Sequence, residues 1–171
     1  MNDSVATRSF TFVEHWQKGN AVDAETVLAF WQRENAIGDD ASAKKRLGEI
    51  VLHACDANGA VAGVCTAVPI TLPRLAQPTY YYRCFIGAKW RKSRLVLSML
   101  KKAGEVLESY AREHKFPCIG IVLELENSRF GQTMQNAVWP STGFVYIGKS
   151  QRGLDLRVKY FRGARLKPTK I

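Results

Sequence analysis

Apolar residues recur along this chain at two spacings, every second residue and every third to fourth, and the switches between them mark its elements. Thr7 to Val13 alternates loosely and is rich in β-formers, which predicts a first strand. Asp23 stands as an N-cap before Ala24, Val27, Leu28 and Trp31, whose spacing predicts a helix to about Asn35. Asp39-Asp40-Ala41-Ser42 reads as a loop, with Ser42 capping a short basic helix from Ala43 to about Glu49. Two apolar runs, Ile50 to Cys55 and Ala60 to Thr71, flank Asn58-Gly59. Both turn residues tolerate the positive φ of a type I′ turn, so a hairpin is expected in which Cys55 faces Ala62 and Cys65 faces Leu52. Pro69 and Pro73 are expected to end its second strand.

Thr79 to Ile86 is the next strand, rich in tyrosine, and the basic run Lys89-Trp90-Arg91-Lys92-Ser93-Arg94 follows it. Leu95, Val96, Met99, Leu100, Ala103, Val106, Leu107 and Tyr110 then share one face of a long helix. Pro117 opens a strand from Cys118 to Leu125, so strand, helix and strand form a right-handed crossover with parallel strands. A short helix is expected from Arg129 to Val138, limited by Pro140. Gly143 to Gly148 and Leu154 to Phe161 close the chain as an antiparallel hairpin. In its last strand Leu154, Leu156, Val158 and Tyr160 alternate as the buried face with Asp155, Arg157 and Lys159 as the wet one. The expected fold class is α/β: a mixed sheet of six to seven strands with about four helices, in one domain. Its core covers about residues 7–161, and residues 162–171 form a basic tail.

Composition narrows the partners. The chain has 171 residues, 46% of them apolar, enough to bury a core without disulfides or metal. A formal charge of +10 favours polyanions such as a phosphate-rich cofactor, an acidic carrier protein, nucleic acid or an anionic membrane surface, without choosing among them. Arg162, Arg165, Lys167 and Lys170 carry part of that excess and read as a solvated tail rather than a binding arm. Tyr80-Tyr81-Tyr82-Arg83 has the composition of a base-stacking platform, but a strand with packed rings accounts for it, and nucleic acid is not expected as a partner. The four cysteines, Cys55, Cys65, Cys84 and Cys118, lack zinc spacing and read as reduced thiols. No apolar run has membrane-spanning length and no signal peptide is recognisable, so a cytoplasmic location is expected.

Three stretches in this order resemble the GCN5-related N-acetyltransferase (GNAT) superfamily: Phe85-Ile86-Gly87-Ala88-Lys89-Trp90-Arg91 before the long helix, Leu123-Glu124-Leu125-Glu126-Asn127, and Gly143-Phe144 before a strand. The resemblance covers roughly Phe10 to Phe161 and implies an acyltransferase that moves an acetyl or longer acyl group from acyl-CoA to a small-molecule or protein amine. A donor carried by acyl carrier protein, and a GNAT-like module that binds a ligand without catalysis, stay open beside it, as does a homodimer. The resemblance implies that an amide among Phe85, Ile86 and Gly87 polarises the thioester carbonyl. The family's pyrophosphate loop falls on Arg91, Lys92, Ser93, Arg94, Leu95 and Val96, where Arg94 and Val96 replace small residues. A strand running into a helix through a tight loop offers free amides and a helix dipole to a diphosphate, and cations at that end are costly without an anion. Asn127 would either bond the pantetheine or cap the next helix. Glu124 and Glu126 share a strand face by period two, and either could deprotonate the ammonium; alternatively they face solvent or pair with Arg83 or Arg129. The family's frequent tyrosine acid is replaced by Trp139, which leaves Tyr146 or Tyr82 as substitutes.

Overall fold

The computed structural model describes residues 9–18, 24–127 and 134–168. Its elements are β1 (Thr11–Glu14), α1 (Ala24–Arg33), α2 (Asp40–Leu47), β2 (Ile50–Cys55), β3 (Val61–Thr71), β4 (Pro78–Ile86), a 3₁₀ turn (Ala88–Trp90), α3 (Leu95–Glu113), β5 (Gly120–Leu125), β6 (Val145–Lys149) and β7 (Asp155–Tyr160). The strands form one mixed sheet in the order β1-β2-β3-β4-β5-β7-β6. Two compact units divide the chain: Met1–Thr66 with Cys84–Ala103, and Ala67–Arg83 with Gly104–Ile171.

In the first unit, α1 buries Val27, Phe30 and Trp31, three positions spaced for one helical face, among Ala43, Ile50, Val61 and Val64. Burying a side chain the size of Phe30 contributes about 1.5–3 kcal/mol. The N-cap of α2 is Asp39, not Ser42: Asp39 accepts the Ser42 amide at 2.8 Å and the Ser42 hydroxyl at 2.7 Å. Aspartate caps because its carboxylate reaches the third helical amide, and the helix therefore starts earlier than the hydrophobic spacing implied.

The hairpin between β2 and β3 forms as expected, but with a three-residue loop. Gly59 has φ +80° and donates its amide to Asp56 at 3.0 Å, whereas Asn58 is not among the positive-φ residues. The Asp56 carboxylate accepts the Asn58 and Ala60 amides, each at 3.0 Å, and this local turn outcompetes type I′. The register shifts between Ala54 and Cys55, so Cys55 faces Val61 rather than Ala62, while Cys65 does face Leu52. None of the four cysteines is in a disulfide. Strand β3 runs on through Pro69 to Thr71, so Pro73 lies beyond its end and Pro69 does not stop it.

In the second unit, β4 and β5 pair in parallel, Tyr80 to Tyr82 against Ile121 to Leu123, as the crossover requires. Tyr80 is fully buried and stacks on Phe116 at 5.7 Å, so this part of the tyrosine run is core. Lys115 in the left-handed region (φ 50°) and the Phe116 amide on Ala111 at 2.9 Å end α3. The predicted helix from Arg129 to Val138 falls partly outside the described residues. Its described end is not helical: Val138 forms an isolated bridge with Val145.

The alternation in β7 also fails at two places. Arg157 is buried, 3% exposed, and Tyr160 is 40% exposed. The Arg157 guanidinium goes inward because carbonyls await it there: it donates to Asn136 at 2.9 Å, Ala137 at 3.3 Å and Met134 at 3.2 Å. Residues 162–168 are exposed, and Lys167 among them is tied to the second unit's Gln77. Gln77, 5% exposed, accepts the Lys167 amide at 2.8 Å and donates to the Lys167 carbonyl at 3.0 Å. Among the described residues no helix is long and apolar enough to cross a membrane.

Candidate functional site

The candidate residues fall into both units. In the first, β4 leaves the sheet at Ile86, turns through Gly87 and the 3₁₀ turn, and enters α3 at Leu95. The corner is held at several points. The Gly87 amide donates to the Ala62 carbonyl at 2.9 Å, and the Gly87 carbonyl accepts the Trp90 amide at 2.9 Å. Arg91 donates through Nε to the Ile86 carbonyl at 3.2 Å and lies 5.6 Å from the centre of the Phe85 ring. Phe85 meets Phe30 edge-on at 6.0 Å.

This arrangement narrows the search for an amide donor. The Gly87 amide is consumed by β3. Successive amides of a strand point to opposite edges, so the Ile86 amide points away from β3. Of the three sequence candidates, Ile86 therefore has the geometry for a carbonyl oxygen, Gly87 has lost its donor, and Phe85 supplies a packed ring.

The loop residues divide by exposure. Arg91, Lys92 and Arg94 are exposed, Ser93 and Val96 half-buried, and Leu95 is 1% exposed. The Ser93 hydroxyl donates to the Trp90 carbonyl at 2.6 Å and accepts the Leu95 amide at 3.4 Å. The Arg94 carbonyl takes the Leu97 and Ser98 amides, each at 3.2 Å, so Arg94 occupies the N-cap position of α3. Within this set Leu95 is a core residue whose amide already serves Ser93. Lys89 is engaged elsewhere, 5.1 Å from the Trp90 ring centre and 3.9 Å from Asp56. Exposed Lys92 and Arg94 beside amides that the helix cannot satisfy suit an anion. With Val96 half-buried, part of its bulk is withdrawn from that approach.

In the second unit, Glu124 and Glu126 converge on one cation. Arg152 Nη1 lies 3.2 Å from Glu124 and 3.0 Å from Glu126. The two carboxylates do share a side, and Arg152, in the turn between β6 and β7, pairs with both; Arg129 lies outside the described residues. Tyr81 also donates to Glu124, at 2.5 Å. Burial pushes the Glu124 carboxyl up, but hydrogen bonds from Ser150 and Tyr81 and the Arg152 charge outweigh it and hold the group below its ordinary value. Burial pushes the Tyr81 phenol up to about 12, with Glu124 adding to the rise. Glu124 is thus an ionised, 8% exposed carboxylate with three donors, and Glu126 a 69% exposed one. Arg152 was missed from sequence because a turn arginine carries no spacing signal.

Trp139 is fully buried and donates its indole N–H to Met134 at 3.0 Å, which makes it a structural residue. Tyr146 is 40% exposed on β6, with the Arg157 guanidinium 5.9 Å from its ring centre. Asn127 is exposed just past β5, and the start of the helix it was expected to cap falls outside the described residues. Among the described residues no group of three or more His, Cys, Asp and Glu could hold a metal.

No protein-family model matches the chain, and no curated protein does. Solved structures do match. A GNAT-family acetyltransferase from Streptococcus pneumoniae superposes with a TM-score of 0.59 at 17% identity, over 90% of this chain and all of that one. A GNAT-family N-acetyltransferase from Escherichia coli, in complex with CoA, gives 0.52 at 16% identity over 92% of this chain and 84% of that one. The toxin AtaT, bound to the C-terminus of the antitoxin AtaR and acetyl-CoA, gives 0.53 at 12% identity over 89% and 93%. The chain therefore has the GNAT fold.

Proposed function

We propose that this GNAT-fold chain is an N-acyltransferase that moves an acetyl or longer acyl group from acyl-CoA to an amine. The observation that carries the reading is the stretch from Cys84 to Val96. It combines a strand-end amide turned away from β3 with an α3 start that presents exposed Lys92 and Arg94 beside the Val96 amide. Bound there, acyl-CoA would supply an activated thioester carbonyl. The diphosphate would rest on Lys92, Arg94 and the Val96 amide, since Ser93 takes the Leu95 amide and the Arg94 carbonyl the Leu97 amide, and the Ile86 amide would donate to the carbonyl oxygen.

Glu124 is the base in this reading, because it is ionised at neutral pH and already receives hydrogen bonds at the positions an ammonium would use. Glu126 would add negative field at the same cation position. Of the two candidate tyrosines Tyr82 is 5% exposed and Tyr146 40% exposed, so Tyr146 is the acid in this reading, the one able to reach a departing thiolate. Four cysteines outside any disulfide fit a reducing, cytoplasmic setting.

The test is ligand-dependent melting with free CoA, acetyl-CoA and longer acyl-CoA, followed by free-thiol release in the presence of amines. CoA at a hundredfold excess over its Kd should stabilise the protein by about 2.7 kcal/mol. The double variant Lys92→Ala with Arg94→Ala should lose most of that shift. If none of the donors moves the melting temperature, the reading is wrong.

A further inference from the structure

We infer that Glu34 is a positioning residue for acyl transfer, a carboxylate that clamps the corner where β4 leaves the sheet and so aims the Ile86 amide. The inference rests on the donor reading above. Glu34 sits one residue past α1, with its amide on the Phe30 carbonyl at 3.0 Å. Asn35, in the left-handed region at φ 51°, and the Ala36 amide on Trp31 at 2.9 Å fix that helix end. The Glu34 side chain, 14% exposed, reaches across the unit, and its Oε2 accepts the Ala88 amide at 2.9 Å.

A carboxylate at the C-terminus of a helix opposes the helix dipole, so its placement there is costly unless something compensates. Arg33, whose Nε lies 3.5 Å from Glu34 Oε1, offsets part of that cost, and a charge-assisted hydrogen bond to the first amide of the 3₁₀ turn, whose own N-cap, Gly87, has no side chain to supply one, offsets more. A methyl group added at Gly87 would come within 3.1 Å of Glu34 Oε1, so the carboxylate lies directly on the corner. Glu34 thus completes a clamp in which Ala62 takes the Gly87 amide, Arg91 serves the Ile86 carbonyl and Glu34 takes the Ala88 amide. The backbone that follows the Ile86 amide is thereby tied at three successive groups, the Ile86 carbonyl and the Gly87 and Ala88 amides. An amide that must meet a developing oxyanion acts through its direction, and misplacement by about 1 Å can cost on the order of 100-fold in rate.

The experiment compares Glu34→Ala, which removes the acceptor, with Glu34→Gln, which keeps an acceptor and removes the charge. Glu34→Ala should lower kcat for thioester turnover about 10- to 100-fold. The KM for acyl-CoA and the melting shift with CoA should stay unchanged, and the Ala88 amide should exchange with solvent faster. Glu34→Gln should retain most of the turnover and the slow exchange. Should Glu34→Ala fail to fold, Glu34→Asp, one methylene shorter, should show the same fall in kcat. Unchanged kcat in folded Glu34→Ala overturns the proposal. So does a Glu34→Gln variant that is inactive and has lost the acidic limb of its pH–rate profile, since that marks a base. Absence of turnover by the wild-type protein with every donor removes the donor reading itself, and the proposal with it.

Discussion

Replacing Arg157 by methionine separates two opposing effects of a buried cation. The guanidinium is 3% exposed, lies 4.4 Å from the Trp139 ring centre and donates to three carbonyls. Burial holds it below its ordinary pKa against the pull of Asp155, so removing the charge relieves a real cost. Against that, methionine keeps the aliphatic stem but orphans carbonyls that remain in place. Met134 keeps its bond from the Trp139 indole, Ala137 keeps the Tyr146 amide at 2.8 Å, and Asn136 is exposed enough to recruit water. The loss should therefore be about one charge-assisted hydrogen bond, ~1.5–3 kcal/mol, plus a cation–π contact of ~0.5–2 kcal/mol, less the relieved burial. A net destabilisation of about 2 kcal/mol is expected, which lowers Tm by about 4–8 °C in a chain of this size. Thermal melts followed by circular dichroism read the global effect, and Trp139 fluorescence reads the local one. Arg157→Lys should be no better, because an ammonium keeps the charge without the planar fork. A methionine variant as stable as the parent, or more so, would refute the reasoning and show that burial cost dominates.

Two further outcomes follow from the second unit. The Tyr81 phenol is raised from 10 to about 12, so its contribution to stability is full below pH 10 and lost as pH rises through 12. The Glu124 carboxyl is lowered from 4.5, so its contribution is full above pH 4.5 and lost as the medium is acidified below that. Urea midpoints measured against pH should fall at both ends, and Tyr81→Phe should remove its share of the alkaline fall; an unchanged alkaline limb contradicts the assignment. Gly120→Ala places a methyl group 2.5 Å from the Lys159 carbonyl oxygen, backbone that cannot swing aside. It should cost about 1–3 kcal/mol or more, and a urea midpoint equal to the parent's would contradict that packing.

Local pattern determined a good deal here. The periodicity of α3, the parallel strands it joins, the Asn58-Gly59 hairpin and the closing hairpin are short-range features, written in the spacing of side chains a few residues apart. The basic stretch before α3 and the shared side of Glu124 and Glu126 were legible for the same reason. What only the tertiary structure decided are partnerships across long sequence separations. Glu34 meets Ala88, Arg152 meets Glu124 and Gln77 meets Lys167, pairs 54, 28 and 90 residues apart. Arg157 shows the same limit within one strand, since its alternation says outward while carbonyls from residues 134–137 draw it in. A polar side chain goes where its hydrogen bonds can be satisfied, and those partners are set by the packed chain rather than by its neighbours in sequence.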